Sequence, residues 1–485
     1  MKRLLMLVLL MEAVLMGRGT AQAQSEAREA GYLYLSPVPQ APFVSAQTRY
    51  VLVRFEDVTP SDVTNLTTDF ITVTGTNSGP HTGVAHVASD GRTVIFEMST
   101  DFSLNELVTV TLNPELSPTA TGKVEAYEYQ FAITSPVPGF LPPGMLGAGY
   151  AIPLSNFPAE DDTPEESGPV PQPAGGYTKA STEIMPNGVS VPSDFPQVVI
   201  TVNNNPSPGY LFLDSGYPGD APPYTMILDN NGLPIWYRRG RVWDFKIQKN
   251  GFVTWCFGDG GSLCFDQNFN YVQSYHTVNG YTANFHELEV LEDGTCLMLG
   301  ARASTVDMSQ YIPDAGTVSV IDWAIQEFTP AGELIFQWRA WDHYDIRDNE
   351  NYDFPHMNAL DVDEDGHILV SSRYVSEVTK INRDSGDIIW RLGGAKSSFA
   401  FVNDQLNGFD FQHDINALGH GQYTVFDNGN AFSHLVSRAV EYQLDLTNMT
   451  ATLVWEFRDT PDKWTHWMGN AQRLPNGNTL INFGR

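Results

Sequence analysis

The chain has 485 residues, 42% of them hydrophobic and 12% aromatic, with 41 Gly, 31 Pro and a formal net charge of −30. That length exceeds one ordinary core, and the Gly and Pro content favours turns over long helices, so an all-β fold of more than one unit is expected. A polyanion of this size repels nucleic acid and anionic membrane surfaces, which excludes both as general partners; a small anionic substrate would need a local cationic site to enter the same field.

In chain order, residues 1–23 combine Lys2 and Arg3, an apolar run from Leu4 to Met16, and Ala21-Gln22-Ala23, which predicts a secretory signal peptide. A membrane anchor is the competing reading, weakened by the shortness of the run and by Glu12 within it. No later stretch is long and apolar enough for a transmembrane helix, so an exported protein, periplasmic or secreted, is expected. Removing the leader takes away three cations and one anion and leaves a charge near −32.

Residues 28–135 carry predicted strands at 50–55, 70–74, 93–97, 107–112 and 128–133, with turn signals such as Ser89-Asp90-Gly91 between them. Their alternating apolar pattern predicts an immunoglobulin-like β-sandwich, a module that more often spaces or docks than catalyses. From 136 to 194 the chain turns Pro-, Gly- and acid-rich, as in 158–168, and reads as a linker partly laid over the next domain.

Residues 195–485 repeat. Aligned on a turn glycine, 244–251, 286–294, 356–366, 413–421 and 469–477 each give a short strand and a tight turn, and a second strand follows. Further along come strands ending on Trp236, Trp338, Trp390 and Trp455. Four strands per unit is the pattern of propeller blades, and counting predicts a six-bladed β-propeller. Its last blade is incomplete, breaking off at Phe483-Gly484-Arg485, unless the segment 198–202 helps to complete it. Of the three cysteines, Cys256 and Cys264 flank a hairpin-type turn that could set them opposite each other for a disulfide; Cys296 is left over.

The first strand of a propeller blade lines the central channel. His286 and His413 stand eight residues before their turn glycine, and His356 stands ten before, in a repeat with a two-residue insertion. Equivalent positions converge on the axis, so three histidines 70 and 57 residues apart in sequence should share one pocket. Asn358 projects to the same strand face as His356. Arg373 ends the following strand, where a hairpin folds it back towards them, and it would supply the cationic site that the acidic chain lacks. His81, His86, His367, His420 and His434 have no such register, and His466 is intermediate, just before the sixth repeat.

Several motifs within 195–485, in order, carry a resemblance. Asp353-Phe-Pro-His356-Met-Asn358, Ser371-Ser-Arg373, the stretch from Lys380 to Gly394, Phe411-Gln-His413-Asp414 and Val425-Phe-Asp-Asn-Gly429 resemble the bacterial arylsulfate sulfotransferases. The resemblance implies an exported propeller that moves a sulfuryl group from an aryl sulfate donor to a phenolic acceptor, by a ping-pong route through a sulfohistidine. It implies no nucleotide sulfate donor, no metal and no other cofactor. Position by position, His413 matches the nucleophile, and His356, Asn358, Arg373 and His286 match further active-site residues. Homodimerisation is left open.

The chemistry asks for the same residue types. Sulfuryl transfer, like phosphoryl transfer, passes a loose transition state in which charge grows on the leaving phenolate. A neutral imidazole can attack sulfur, Arg and Asn can hold the sulfonate oxygens, and further histidines can move the phenol proton. Two rivals stand beside this reading. His286, His356, His413 and His466 could bind iron, copper or zinc, although Glu287 and Asp414, the adjacent carboxylates, should point to the opposite strand face. A non-catalytic propeller binding carbohydrate or protein is the other.

Overall fold

The computed structural model describes residues 20–133, 182–215, 223–240, 242–257, 261–312, 315–348, 352–431 and 435–484. Most of the leader peptide, linker residues 136–181, the turn at 258–260 and His434 lie outside the described residues. Residues 20–29 form a helix that buries Ala23 and Ala27, one turn apart, against the N-terminal region.

Two four-stranded antiparallel sheets follow. One runs in the order Tyr32–Ser36, Tyr50–Phe55, Val94–Met98, Gly83–Val87, and the other Gly79–His81, Ile71–Gly75, Glu106–Leu112, Tyr127–Ile133. Strict alternation along Ile71–Gly75 and Glu106–Leu112 turns every second residue inward, as a half-buried pleat requires. The inward set, including Val51, Val53, Phe70, Val108, Val110 and Phe131, forms one core between the sheets.

The rest of the chain is a series of sheets, each entered on a new first strand. The first has three strands, Leu211–Ser215, Tyr224–Leu228 and Pro234–Arg239, and a hairpin of Thr182–Ile184 and Ser190–Pro192 lies beside it, held by Asn187 Nδ2 on the Pro234 carbonyl at 2.9 Å. Four-stranded paths then begin at Trp243–Ile247, Thr282–Val290, Met357–Val362 and His413–Gly419. The sixth sheet has two strands, Gly469–Arg473 and Thr479–Phe483. Each first strand packs on the first strand of the next sheet. A first strand has an open edge, and side chains of the preceding sheet satisfy it: Asp244 accepts from Leu288 N at 2.9 Å, Asp361 from Ala417 N at 2.8 Å and Asp414 from Ala471 N at 2.7 Å.

Two expectations fail here. Val198 to Val202 adds no strand to the sixth sheet; Val198 and Ile200 lie instead over Gly232, whose φ of +71° and missing Cβ leave room for them. Cys256 and Cys264 are not opposite each other, because the register pairs Cys256 with Ser262 and Cys264 with Thr254. All three cysteines are buried, and none is in a disulfide.

The N-terminal sheets share a core with the later ones. Tyr34, Leu52, Ala88 and Ile95 pack in the same cluster as Trp323, Phe336 and Trp338. Arg54, fully buried, reaches across to the Ile335 carbonyl at 2.7 Å and the Arg383 carbonyl at 2.8 Å. Charge-assisted bonds of this kind to buried carbonyls fix one docking geometry.

Candidate active site

The three registered histidines all sit where their strands break regularity. His286 falls in the interval between Ala283 and Leu288 where the strand pairing shifts register. His356 precedes its strand with a φ of 59°, and Asp414, directly after His413, has the same value. Non-glycine residues adopt this left-handed region at a cost, and such irregularities re-aim side chains at functional sites. The His286 and His356 rings stand edge to face with centroids 5.0 Å apart. Burial, reinforced by the electrostatic opposition of His356, His413 and Arg373 to a further proton, lowers the His286 pKa well below the ordinary imidazole value. One electrostatic neighbourhood therefore contains all four groups.

The hydrogen bonds of His413 define its tautomer. Asn428 Nδ2 donates to the Thr465 and Met468 carbonyls, both at 3.0 Å, which leaves Asn428 Oδ1 to face His413 Nδ1 at 2.8 Å. An amide oxygen can only accept, so Nδ1 carries the hydrogen. Nε2 then holds the lone pair, and the Met468 backbone N–H donates to it at 3.2 Å. His413 and Asn428 are both buried.

The other two histidines have different partners. His356 Nδ1 meets the carboxylate of Asp353, which also accepts from Trp323 Nε1 at 2.5 Å. His286 Nδ1 meets a neutral amide oxygen, that of Asn284, at 2.5 Å. A carboxylate partner favours the imidazolium form and an amide partner does not. Adjacent imidazoles thus have different hydrogen-bond partners, a carboxylate for His356 and an amide for His286.

Arg373 is fully buried. Its backbone N–H is tied to the His356 carbonyl at 2.9 Å, its guanidinium lies about equally over the Tyr374 and Phe411 rings at 5.0 and 5.1 Å, and one terminal nitrogen donates to the His466 carbonyl at 3.2 Å. Asn358 donates from Nδ2 to the Gln412 carbonyl at 2.8 Å, beside His413, and its buried Oδ1 accepts no hydrogen bond. The structure therefore brings together His286, His356, Asn358, Arg373 and His413. His466 contributes a carbonyl oxygen to this group. Sequence reasoning assigned no part to Asp353 or Asn428, although both lie inside the motifs Asp353-Phe-Pro-His356 and Val425-Phe-Asp-Asn-Gly429.

Glu287 and Asp414 do point away from the histidines. Lys246 pairs with Glu287, with Asp244 at 3.1 Å and with Glu289 at 3.4 Å; Lys249 pairs with Asp361 at 2.8 Å. Burial pushes the Asp244 carboxyl up to about 6 and Glu287 well above the usual range. Burial also lowers the Lys246 ammonium, but its three carboxylates outweigh this and hold it well above its ordinary value. Among the described residues no group of His, Cys, Asp and Glu is arranged to hold a metal ion.

The family model for arylsulfotransferase (ASST) matches residues 189–485. A search of curated proteins finds no match. Among solved structures, a protein of unknown function from Bacteroides caccae is similar at 13% identity over 52% of this chain and 94% of that one, with a TM-score of 0.28. Hydrazine synthase from Kuenenia stuttgartiensis is similar at 10% identity over 54% and 67%, TM-score 0.32. A gluconolactonase from Xanthomonas campestris is similar at 15% identity over 54% and 75%, TM-score 0.32. Likenesses this faint carry no argument about activity.

Proposed function

Because the chain belongs to the arylsulfotransferase family, we propose that it transfers a sulfuryl group from an aryl sulfate ester to a phenol through a sulfohistidine at His413. No nucleotide donor takes part. The observation that carries this reading is the bonding of His413, which fixes a neutral imidazole with its lone pair on Nε2, beside a buried arginine and two further histidines.

In the first half-reaction the Nε2 lone pair forms the N–S bond as the aryl S–O bond breaks, and the phenolate leaves with that electron pair. His356, entering this step as the imidazolium with its Nδ1 facing the Asp353 carboxylate, gives the phenolate a proton. Arg373 faces the sulfonate oxygens with its planar fork, and Asn358 lies beside them. The Met468 N–H, released when the lone pair turns to sulfur, becomes one more donor for those oxygens. Nδ1 keeps its hydrogen on Asn428 throughout, so the sulfated ring is cationic and a good leaving group. In the second half-reaction the acceptor phenol passes its proton to the histidine pair, its oxygen forms the new S–O bond, and the N–S electrons return to His413. Neutral His286 suits holding the incoming hydroxyl.

The six successive sheets support a six-bladed propeller, as does the contact of Asn478 Nδ2 with Ser207 Oγ at 3.0 Å, which links the sixth sheet to the segment entering the first. The two N-terminal sheets suit an immunoglobulin-like domain, and the basic and apolar start of the chain supports export to the periplasm or medium. Incubation with 4-nitrophenyl sulfate and phenol tests the activity. Nitrophenol release that needs His413 is expected; no release from the wild-type protein, or equal release from His413→Ala, refutes it.

A further inference from the structure

The N-terminal sandwich reaches the later sheets at several places, and one of them leads to the candidate acid–base histidine. At the loop ending in Phe43, which has a φ of 53°, the Phe43 ring meets Trp341 edge to face at 5.0 Å. Trp341 in turn meets Phe354 edge to face at 5.7 Å. Phe354 is fully buried and stands two residues before His356. Its neighbour Asp353 holds the His356 imidazole.

A polar path runs alongside this aromatic one. The Pro42 carbonyl accepts from Arg339 at 2.9 Å, and the Phe43 carbonyl accepts from both Arg339 and Arg302. Arg302 donates to Asp322 at 3.0 Å, Tyr281 donates to the same oxygen at 2.8 Å, and Arg339 pairs with Asp342 at 3.3 Å. Asp322 is in parallel register with Phe354, and Ile321 with Asp353. The next residue, Trp323, donates its indole N–H to Asp353. Two buried guanidiniums thus donate to backbone oxygens of the N-terminal loop, and their counter-ion Asp322 sits on the strand that aligns the Asp353–His356 turn.

We propose that Pro42 and Phe43 form a positioning element for His356, so that the N-terminal region sets the acid–base group of the later sheets rather than serving as a spacer. This rests on the sulfotransferase reading for its kinetic consequence only. A buttress on both sides of a short turn narrows the orientations of a ring that must meet a leaving oxygen within hydrogen-bond reach, and small displacements of such groups cost rate without weakening binding. Two further ion pairs between the regions, Arg28 with Asp387 and Arg92 with Asp384, are exposed and lead to no site residue.

The test compares Phe43→Ala and Phe43→Leu with the rim control Arg92→Ala, using aryl sulfates whose phenols differ in acidity. A phenolate that leaves unaided needs little from His356, whereas a basic one needs its proton. With phenyl sulfate, Phe43→Ala should lower kcat about tenfold, part of the roughly 10²–10⁴ that general acid catalysis supplies, at unchanged KM. With 4-nitrophenyl sulfate the loss should stay under about twofold. Phe43→Leu keeps the apolar volume and carries the test if the alanine variant does not fold. An equal loss for all donors, no loss, or the same loss in Arg92→Ala overturns the proposal. If the wild-type protein releases no phenol at all, the sulfotransferase reading fails instead. The proposal is then decided by the downfield His356 Nδ1–H proton resonance: its loss in the Phe43 variants but not in Arg92→Ala supports it, and its survival in all three overturns it.

Discussion

His286 and Glu287 are neighbours in sequence, as are His413 and Asp414, yet each pair divides between two regions of opposite chemistry. The histidines join Arg373 in a cationic, aromatic-walled site, whereas Glu287 joins Asp244, Glu289 and Lys246 in an acidic cluster. Asp414 ties its strand to the next through Ala471 N. One repeat position therefore builds the proposed reactive site and the adjacent one fastens the sheets together. Activity and stability should be separable by substitutions one residue apart.

The largest expected effect is on the reactive side. His413→Ala should reduce transfer by on the order of 10⁴-fold or more, with an unchanged melting profile. Arg373→Ala follows: loss of the fork facing the sulfonate should cost about 10²–10³-fold in kcat/KM across donors, read by steady-state kinetics. On the other side, Lys246→Met removes the cation shared by three part-buried carboxylates. Stability should fall by about 3 kcal/mol in denaturant titration, while activity per folded molecule remains.

A smaller effect is the slope of stability with pH. The folded Asp244 carboxyl keeps its proton up to about 6, against an ordinary value of 3.8. The folded state thus binds more protons than the unfolded one in that window, so wild-type stability should fall as pH rises through it. Glu287, Asp361 and Asp414 are raised in the same direction and add to that slope. Asp244→Asn should flatten it, as followed by thermal melts between pH 4 and 7; an unchanged slope would place the effect elsewhere in the cluster.

The register of His286, His356 and His413 was legible in the sequence because the turn glycine fixes a strand's phase, and a strand's phase fixes which residues reach the inner edge. Asn428 and Asp353 were not, since Asn428 follows the end of its strand and Asp353 opens a two-residue strand outside the repeat, and each acts through the imidazole it orients. The Cys256–Cys264 register was beyond reach for a related reason: a two-residue offset across a hairpin depends on the turn, not on the strands. The apolar 198–202 segment matched a strand pattern, but packing over Gly232 outweighed pairing. The long path from Phe43 to His356 is tertiary throughout.

The central claim is that His413 Nε2 takes the sulfuryl group. Intact-mass and peptide mass spectrometry after exposure to an aryl sulfate without acceptor, with nitrogen-resolved NMR of the modified ring, tests it most directly. The account predicts one sulfuryl group per chain, on Nε2 of His413, discharged when phenol is added. An adduct on another residue or on Nδ1, or turnover without an adduct, would contradict it.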